Sequence, residues 1–293
     1  MTHTYILKKL IPSRIKRKLG RRWKYYRTYG LFNCNPLLPP PDLIKVSSIE
    51  NFTETGRDWA NKLVKIGKLE NNHRVLEVGC GIGRVAIFLT EYLTEGEYFG
   101  FDIRQDEIVW LDKNITASFP TFHFGYSNVY NAFYNPEGMI LAHEYRFPYS
   151  DNFFDLVYLT SVFTHMLPRD IENYLREVKR VMKVEGRCFI SYFLLNTESK
   201  EHIAQGQSSR NFSTQIEGGC FSDNVKVPED AVAYEESYIR NLYDKVGFEI
   251  EEPIHYGVWH RSQVLNAARD YQDIIVAKKL PHHLSVSVTK SSS

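Results

Sequence analysis

Ten residues, Val75-Leu76-Glu77-Val78-Gly79-Cys80-Gly81-Ile82-Gly83-Arg84, have the types and spacing to grip an anionic or polar ligand group. Their apolar half reads as a buried strand that runs into a glycine-rich turn. Glycines at every second position let the backbone approach a ligand with no Cβ in the way. A helix expected from Val85 to Leu93 would add unpaired N–H groups behind the turn. Asp102 closes the next strand, Tyr98–Asp102, where a carboxylate can accept both hydroxyls of a ribose. Strand, turn, helix and acid in that order make the pattern specific.

The turn reads E-x-G-x-G-x-G. The dinucleotide pattern G-x-G-x-x-G would put Arg84 where its last glycine belongs, so a nicotinamide site is the weaker alternative. The chain closely resembles the class I (Rossmann-like) methyltransferases that use S-adenosylmethionine, through Glu77, Gly79, Gly81, Gly83 and Asp102. The resemblance runs from about Asn51 to Lys279. It implies a doubly wound α/β fold with a mostly parallel seven-stranded sheet and an antiparallel last strand. It also implies S-adenosylmethionine as cofactor. The turn, including Cys80, would meet the amino acid end, Glu77 would help hold that charged end, and Asp102 would bind the ribose. The family usually has an acid after the third strand for the adenine amino group. Here the candidate is Asn128, which can accept that bond without a charge, a simple turn role being the alternative. Ile103 and Val129 would wall the adenine, and Thr160 lies at the carboxyl edge of the fourth strand.

Methyl transfer is an in-line displacement, so alignment of the reacting atoms is the first requirement. An alcohol acceptor must also lose a proton to a base tuned near neutrality. Thr160-Ser161-Val162-Phe163-Thr164-His165-Met166 leaves the fourth strand near that point, and His165 is the candidate base. The bland alternative is a histidine that caps the helix starting near Pro168, or one that packs under the loop. His143 and Tyr145 could approach the acceptor from one side, Tyr256 and Trp259 from the other. His255 and His260 stand close by, but no carboxylate cluster accompanies them and no metal is expected. The fourth-strand loop lacks the Asn/Asp-Pro-Pro-Tyr sequence of many amino-directed enzymes. The chain thus resembles bacterial small-molecule methyltransferases of glycan and natural-product pathways more than nucleic-acid modifiers. O-methylation of a small-molecule or glycan hydroxyl is the first expectation. N-methylation of an amine and a non-catalytic cofactor-binding scaffold are the alternatives.

The 293 residues suffice for one large α/β core with extensions. A net charge of +1 hides an asymmetry: residues 1–41 hold ten Lys or Arg and no acid, leaving 26 basic against 35 acidic side chains elsewhere. In this head Leu7, Ile11, Ile15, Leu19 and Trp23 recur at steps of four, as on one stripe of a helix over Ser13 to Tyr26. Residues 7–27 could lie on an anionic membrane, pack on the body, or meet nucleic acid, although no further nucleic-acid module follows. No secretory signal is expected, and Cys34, Cys80, Cys188 and Cys220 fit neither a disulfide framework nor a zinc pattern, so a cytoplasmic protein is expected.

From Asn51 helices and strands alternate within residues 42–280, as in a parallel sheet. Strands are expected at Arg74–Val78, Tyr98–Asp102, Thr121–Ser127, Asp155–Thr160, Arg187–Leu194, Phe248–Pro253 and Asp273–Lys278. Glu185-Gly186 reads as the turn before the fifth of them. Helices are expected at Glu54–Ile66, Arg104–Ala117, Asp170–Met182 and Glu235–Val246, the last ended by Gly247. Two stretches, 130–150 and 196–230, exceed the minimal pattern and read as lids or solvated insertions. Residues 281–293 read as a frayed tail.

Overall fold

The computed structural model describes residues 37–40, 43–44, 49–261 and 271–280. The basic head expected to be helical, residues 262–270 and the tail lie outside them. The main sheet is built from β1 (Arg74–Val78), β2 (Glu97–Asp102), β3 (Phe122–Tyr126), β4 (Phe154–Leu159), β5 (Met182–Tyr192), β10 (Phe248–Ile250) and β11 (Asp273–Lys279). Its order is β10-β11-β5-β4-β1-β2-β3, with β11 antiparallel to both neighbours and the other pairings parallel. Seven strands with an antiparallel last member match the expectation. The chain runs outward from β1 through β2 to β3, then returns to the other side of β1 for β4. That reversal opens a crevice above the carboxyl ends of β1 and β4, where open α/β sheets bind ligands.

Both sheet faces are covered, so the strands are apolar on both sides. Val75, Leu156 and Tyr158 pack with Trp59 and Leu63 of α1 (Ile49–Lys65), Leu89 of α2 (Ala86–Leu89) and Leu111 of α3 (Gln105–Leu111). On the opposite face Leu76, Val78, Val157 and Leu159 pack with Ile171, Leu175 and Val178 of α4 (Pro168–Val181). Ile239, Leu242 and Tyr243 of α6 (Glu236–Val246) complete that layer, and Gly247 ends α6 at φ +85° as its position predicts. Among the described residues no helix is long and apolar enough to cross a membrane.

Three local expectations change. The helix after the glycine turn is one turn long, because i→i+3 bonds such as Phe88 N–H to Val85 alternate with i→i+4 bonds. The turn expected at Glu185-Gly186 is a bulge inside a continuous β5. Glu185 stands at φ +63°, and the register slips between Phe154–Met182 and Leu156–Arg187. The stretch 196–230 is structured. It holds α5 (Thr197–Ala204), whose first turn is closed by Asn196 Oδ1 accepting from Ser199 N–H (3.0 Å).

That stretch also supplies β7 (Thr214–Glu217) and β8 (Cys220–Ser222). They join β6 (Leu194–Leu195) and β9 (Val232–Glu235) in a second sheet of order β6-β9-β8-β7. Strands of two to four residues are too short for an alternation to register in sequence. Phe193, Leu195, Phe212, Ala231, Ala233 and Trp259 form this layer's own core.

Asp273, fully buried at the start of β11, joins the two sheets. Its Oδ2 accepts from Leu194 N–H (2.7 Å) and Trp259 Nε1–H (2.8 Å), and its Oδ1 accepts from Gly257 N–H (2.7 Å). Asp273→Ala leaves three buried donors unpaired and should cost about 3 kcal/mol or more, read as a lowered urea midpoint.

Candidate active site

A cavity of about 550 Å³ occupies the crevice, within the size range that encloses small ligands. One end is formed by the turn after β1. Gly79 and Gly81 hold left-handed φ of +75° and +53°. A Cβ on Gly79 would come within 2.5 Å of Val162 Cγ2 in the loop after β4, so glycine there lets the two loops meet. Gly81 N–H donates to Asp102 Oδ2 (2.7 Å), and Arg104 N–H donates to Oδ1 (2.9 Å). The end of β2 thereby sets the shape of the turn. Gly83 lies behind the cavity against Leu111 Cδ2, where it closes packing on α3 rather than facing a ligand.

Glu77 is buried at the cavity floor. Its Oε2 accepts from the hydroxyls of Tyr98 and Tyr158, the latter at 2.7 Å. Burial pushes its pKa up to about 7, against the pull of those hydroxyls and of Arg84. Arg84, not among the residues expected at the site, lines the same end. Among the described residues its guanidinium makes no hydrogen bond or ion pair, and burial lowers its pKa. A partly buried cation with no partner among the described residues, beside an open backbone cradle, fits the carboxylate of an amino acid group. Cys80 also lines this end, and burial keeps it a thiol.

Ile103, Val129 and Thr160 line the cavity as expected. Asn128 does not. Its Oδ1 accepts from Tyr126 O–H (3.0 Å), and its carbonyl accepts from Met139 and Ile140 N–H as the chain folds back on itself. The neighbouring side chain that reaches the cavity is Asn131, which donates to the His165 carbonyl (2.9 Å) and to Glu229 Oε1 (3.2 Å).

His165 follows β4 in a single turn, Phe163–His165, and is partly buried. Its Nδ1 is 3.0 Å from the Glu229 carbonyl, and its Nε2 is 3.5 Å from Tyr134 Oη. A carbonyl only accepts, so Nδ1 carries the proton and Nε2 keeps its lone pair. Burial lowers the ring's pKa and keeps it neutral near pH 7. The ring therefore does not cap the helix that starts at Pro168. There Asp170 Oδ2 accepts from Leu167 N–H (3.3 Å) instead. Ser161, beside it at the cavity wall, holds φ +58°, with its N–H on Ser191 Oγ (2.8 Å) and its hydroxyl on Gln272 Oε1 (2.9 Å). Such a backbone conformation in a side-chain-bearing residue costs about 1–3 kcal/mol and clusters at functional sites.

The four side chains expected at the acceptor rim all lie outside the cavity. His143 is on the surface with Nδ1 3.3 Å from Asp170 Oδ1. Tyr145 packs in the core with its hydroxyl on Ser127. Tyr256 is exposed and donates to Glu236 Oε2 (2.9 Å). Trp259 is fully buried between Phe193 and Phe212. In their place the cavity is lined by Tyr134, Tyr174, Phe193, Arg210, Glu229 and Tyr271. Arg210 and Glu229 come from the stretch read as an insertion, and no local spacing announced them.

Residues 76–190 match the family described as a methyltransferase domain. The chain is 25% identical over 206 residues to Methyltransferase GfsG of Streptomyces halstedii, covering 70% of this chain and 63% of that protein. It is 30% identical over 152 residues to an uncharacterized methyltransferase of Schizosaccharomyces pombe, covering 50% of this chain and 51% of that one. The chain thus spans less than two thirds of the length of these two curated relatives. Its fold is similar to the crystal structure of the Burkholderia thailandensis 1,6-didemethyltoxoflavin-N1-methyltransferase with bound S-adenosylhomocysteine. That comparison has TM-score 0.51 and 14% identity, covering 92% of this chain and 91% of that one. Residues 76–190 thus carry a methyltransferase domain, and these similarities support a class I fold with S-adenosylmethionine as its cofactor.

Proposed function

We propose that the protein is an O-methyltransferase acting on a hydroxyl of a small molecule, in the sugar, glycan or natural-product class. The observation that carries this reading is the orientation of His165: Nδ1–H on the Glu229 carbonyl, and an unprotonated Nε2 whose only polar neighbour among the described residues is the Tyr134 hydroxyl, at a long 3.5 Å. When bound, the cofactor supplies a methyl group on a positively charged sulfur. The chain's own work is to hold both partners in line, exclude water and take the hydroxyl proton. The Gly79–Gly81 backbone and Arg84 suit the amino acid end, and Asp102 suits the ribose. Tyr134, Tyr174, Phe193 and Tyr271 offer flat faces to a ring, while Asp170, Glu229 and Arg210 offer polar edges to its substituents. A mixture of flat faces and separate polar groups suits a compact hydroxylated acceptor better than a phosphodiester chain.

Two finer parts of the reading rest on sequence. The +10 charge of residues 1–41 and the apolar stripe within residues 7–27 support peripheral contact with an anionic membrane. Cys80, Cys188 and Cys220 as free buried thiols support a reducing, cytoplasmic setting. The neutral imidazole of His165 in the cavity speaks against a non-catalytic scaffold.

Asp102→Ala should raise the cofactor dissociation constant about tenfold or more in calorimetry, because charge-assisted hydrogen bonds contribute about 1.5–3 kcal/mol. Arg84→Gln should weaken binding by a similar factor while leaving affinity for adenosine alone unchanged. For an alcohol acceptor, kcat/KM should rise with pH along a limb whose pKa lies below the usual histidine value, then level off, since only the neutral ring accepts a proton. His165→Ala should lose that limb and about 10²-fold or more in kcat. An unchanged rate and profile would remove the base from the mechanism. A limb that follows the acceptor's own pKa and survives the substitution would establish N-methylation instead.

A further inference from the structure

Away from the cavity, Glu198, His202 and His260 converge, with one ligand atom from each within 4.8 Å of the others. Glu198 and His202 are four residues apart on α5, so both leave the same face of that helix. His260 arrives from the chain segment before β11 and is 3% exposed. The two imidazoles stack at 5.0 Å, with Nδ1 facing Nδ1 at 2.8 Å. Neither nitrogen can satisfy the other unless one carries a proton, so the pair presents one lone pair aimed inward and one exchangeable hydrogen. The carboxylate that the sequence around His260 lacks is supplied by the distant helix.

We propose that these three side chains form a transition-metal site of the zinc type, with two Nδ1 ligands, one carboxylate oxygen and an open fourth position for water. Nitrogen, nitrogen and oxygen suit zinc, whose bonds to them are about 2.0–2.2 Å. Two nitrogens on one tetrahedral zinc lie about 3.3 Å apart, so loading replaces the shared proton and parts the rings by about half an ångström. Glu198 now pairs with Arg261, which must release it. The metal acts as a staple. It joins α5 to the segment bearing Trp259, whose indole packs on Phe193 at the cavity wall (centroids 5.4 Å). Loading therefore stiffens the acceptor end without touching the reacting groups.

The test uses the full chain purified without a metal-affinity tag, stripped with chelator, then titrated with Co²⁺ and afterwards Zn²⁺. One equivalent of Co²⁺ should give the intense visible bands of a tetrahedral site, bleached by Zn²⁺. Zn²⁺ at a hundredfold excess over its dissociation constant should raise Tm by about 5 °C or more. His202→Ala, on the partly exposed side of the cluster, should abolish both responses while keeping the wild-type circular dichroism. Glu198→Gln should weaken Co²⁺ binding at least tenfold. Absence of both signals in the wild type overturns the site. So does an equal response in His202→Ala, which would place the metal on other histidines such as His282 and His283.

Discussion

The carboxylate of Asp102 fixes the geometry on which the ligand end of the molecule depends. One oxygen takes the Gly81 N–H, and the other takes the Arg104 N–H. Those bonds clamp the turn after β1 to the end of β2, its neighbour in the parallel sheet. A left-handed glycine turn has little conformational preference of its own. Here two strand ends and the Val162 loop after β4 decide its path. The same acid is therefore architectural and ligand-facing, with its oxygens already oriented by backbone donors on either side.

The acceptor end is organised differently. His165 depends on a carbonyl from the turn Pro228–Asp230, and that turn is held by Glu229 accepting from Ala132 N–H and Asn131. Segments from both extra stretches of the chain thus converge on the loop after β4. The second sheet, fastened through Asp273, keeps Glu229 in register with the main sheet. His165 is oriented by architecture that a minimal seven-stranded unit does not contain.

The end of the cavity formed after β1 was legible in the sequence because its signals are local. Glu77, the glycines and Asp102 lie within one strand–turn–helix–strand unit, and the alternation of elements fixed the sheet. His165 was reachable for the same reason, being a few residues beyond a strand end. Asn128 was not, since the chain turns back after β3 and spends that side chain on Tyr126. Trp259 and Tyr145 misled because a large aromatic near a strand end looks the same in sequence whether it faces a ligand or fills a core. Arg210, Glu229 and the second sheet escaped because their positions are set by long-range pairing of two- to four-residue strands.

Glu77 carries a consequence for the energetics of the cradle. Burial raises its pKa to about 7, so near neutral pH the carboxyl is divided between its neutral and ionised forms. Any cation entering beside it favours the ionised carboxylate, so occupancy near pH 7 would release protons. The heat evolved would then depend on the ionisation enthalpy of the buffer, and apparent affinity would increase as the solution is made more alkaline.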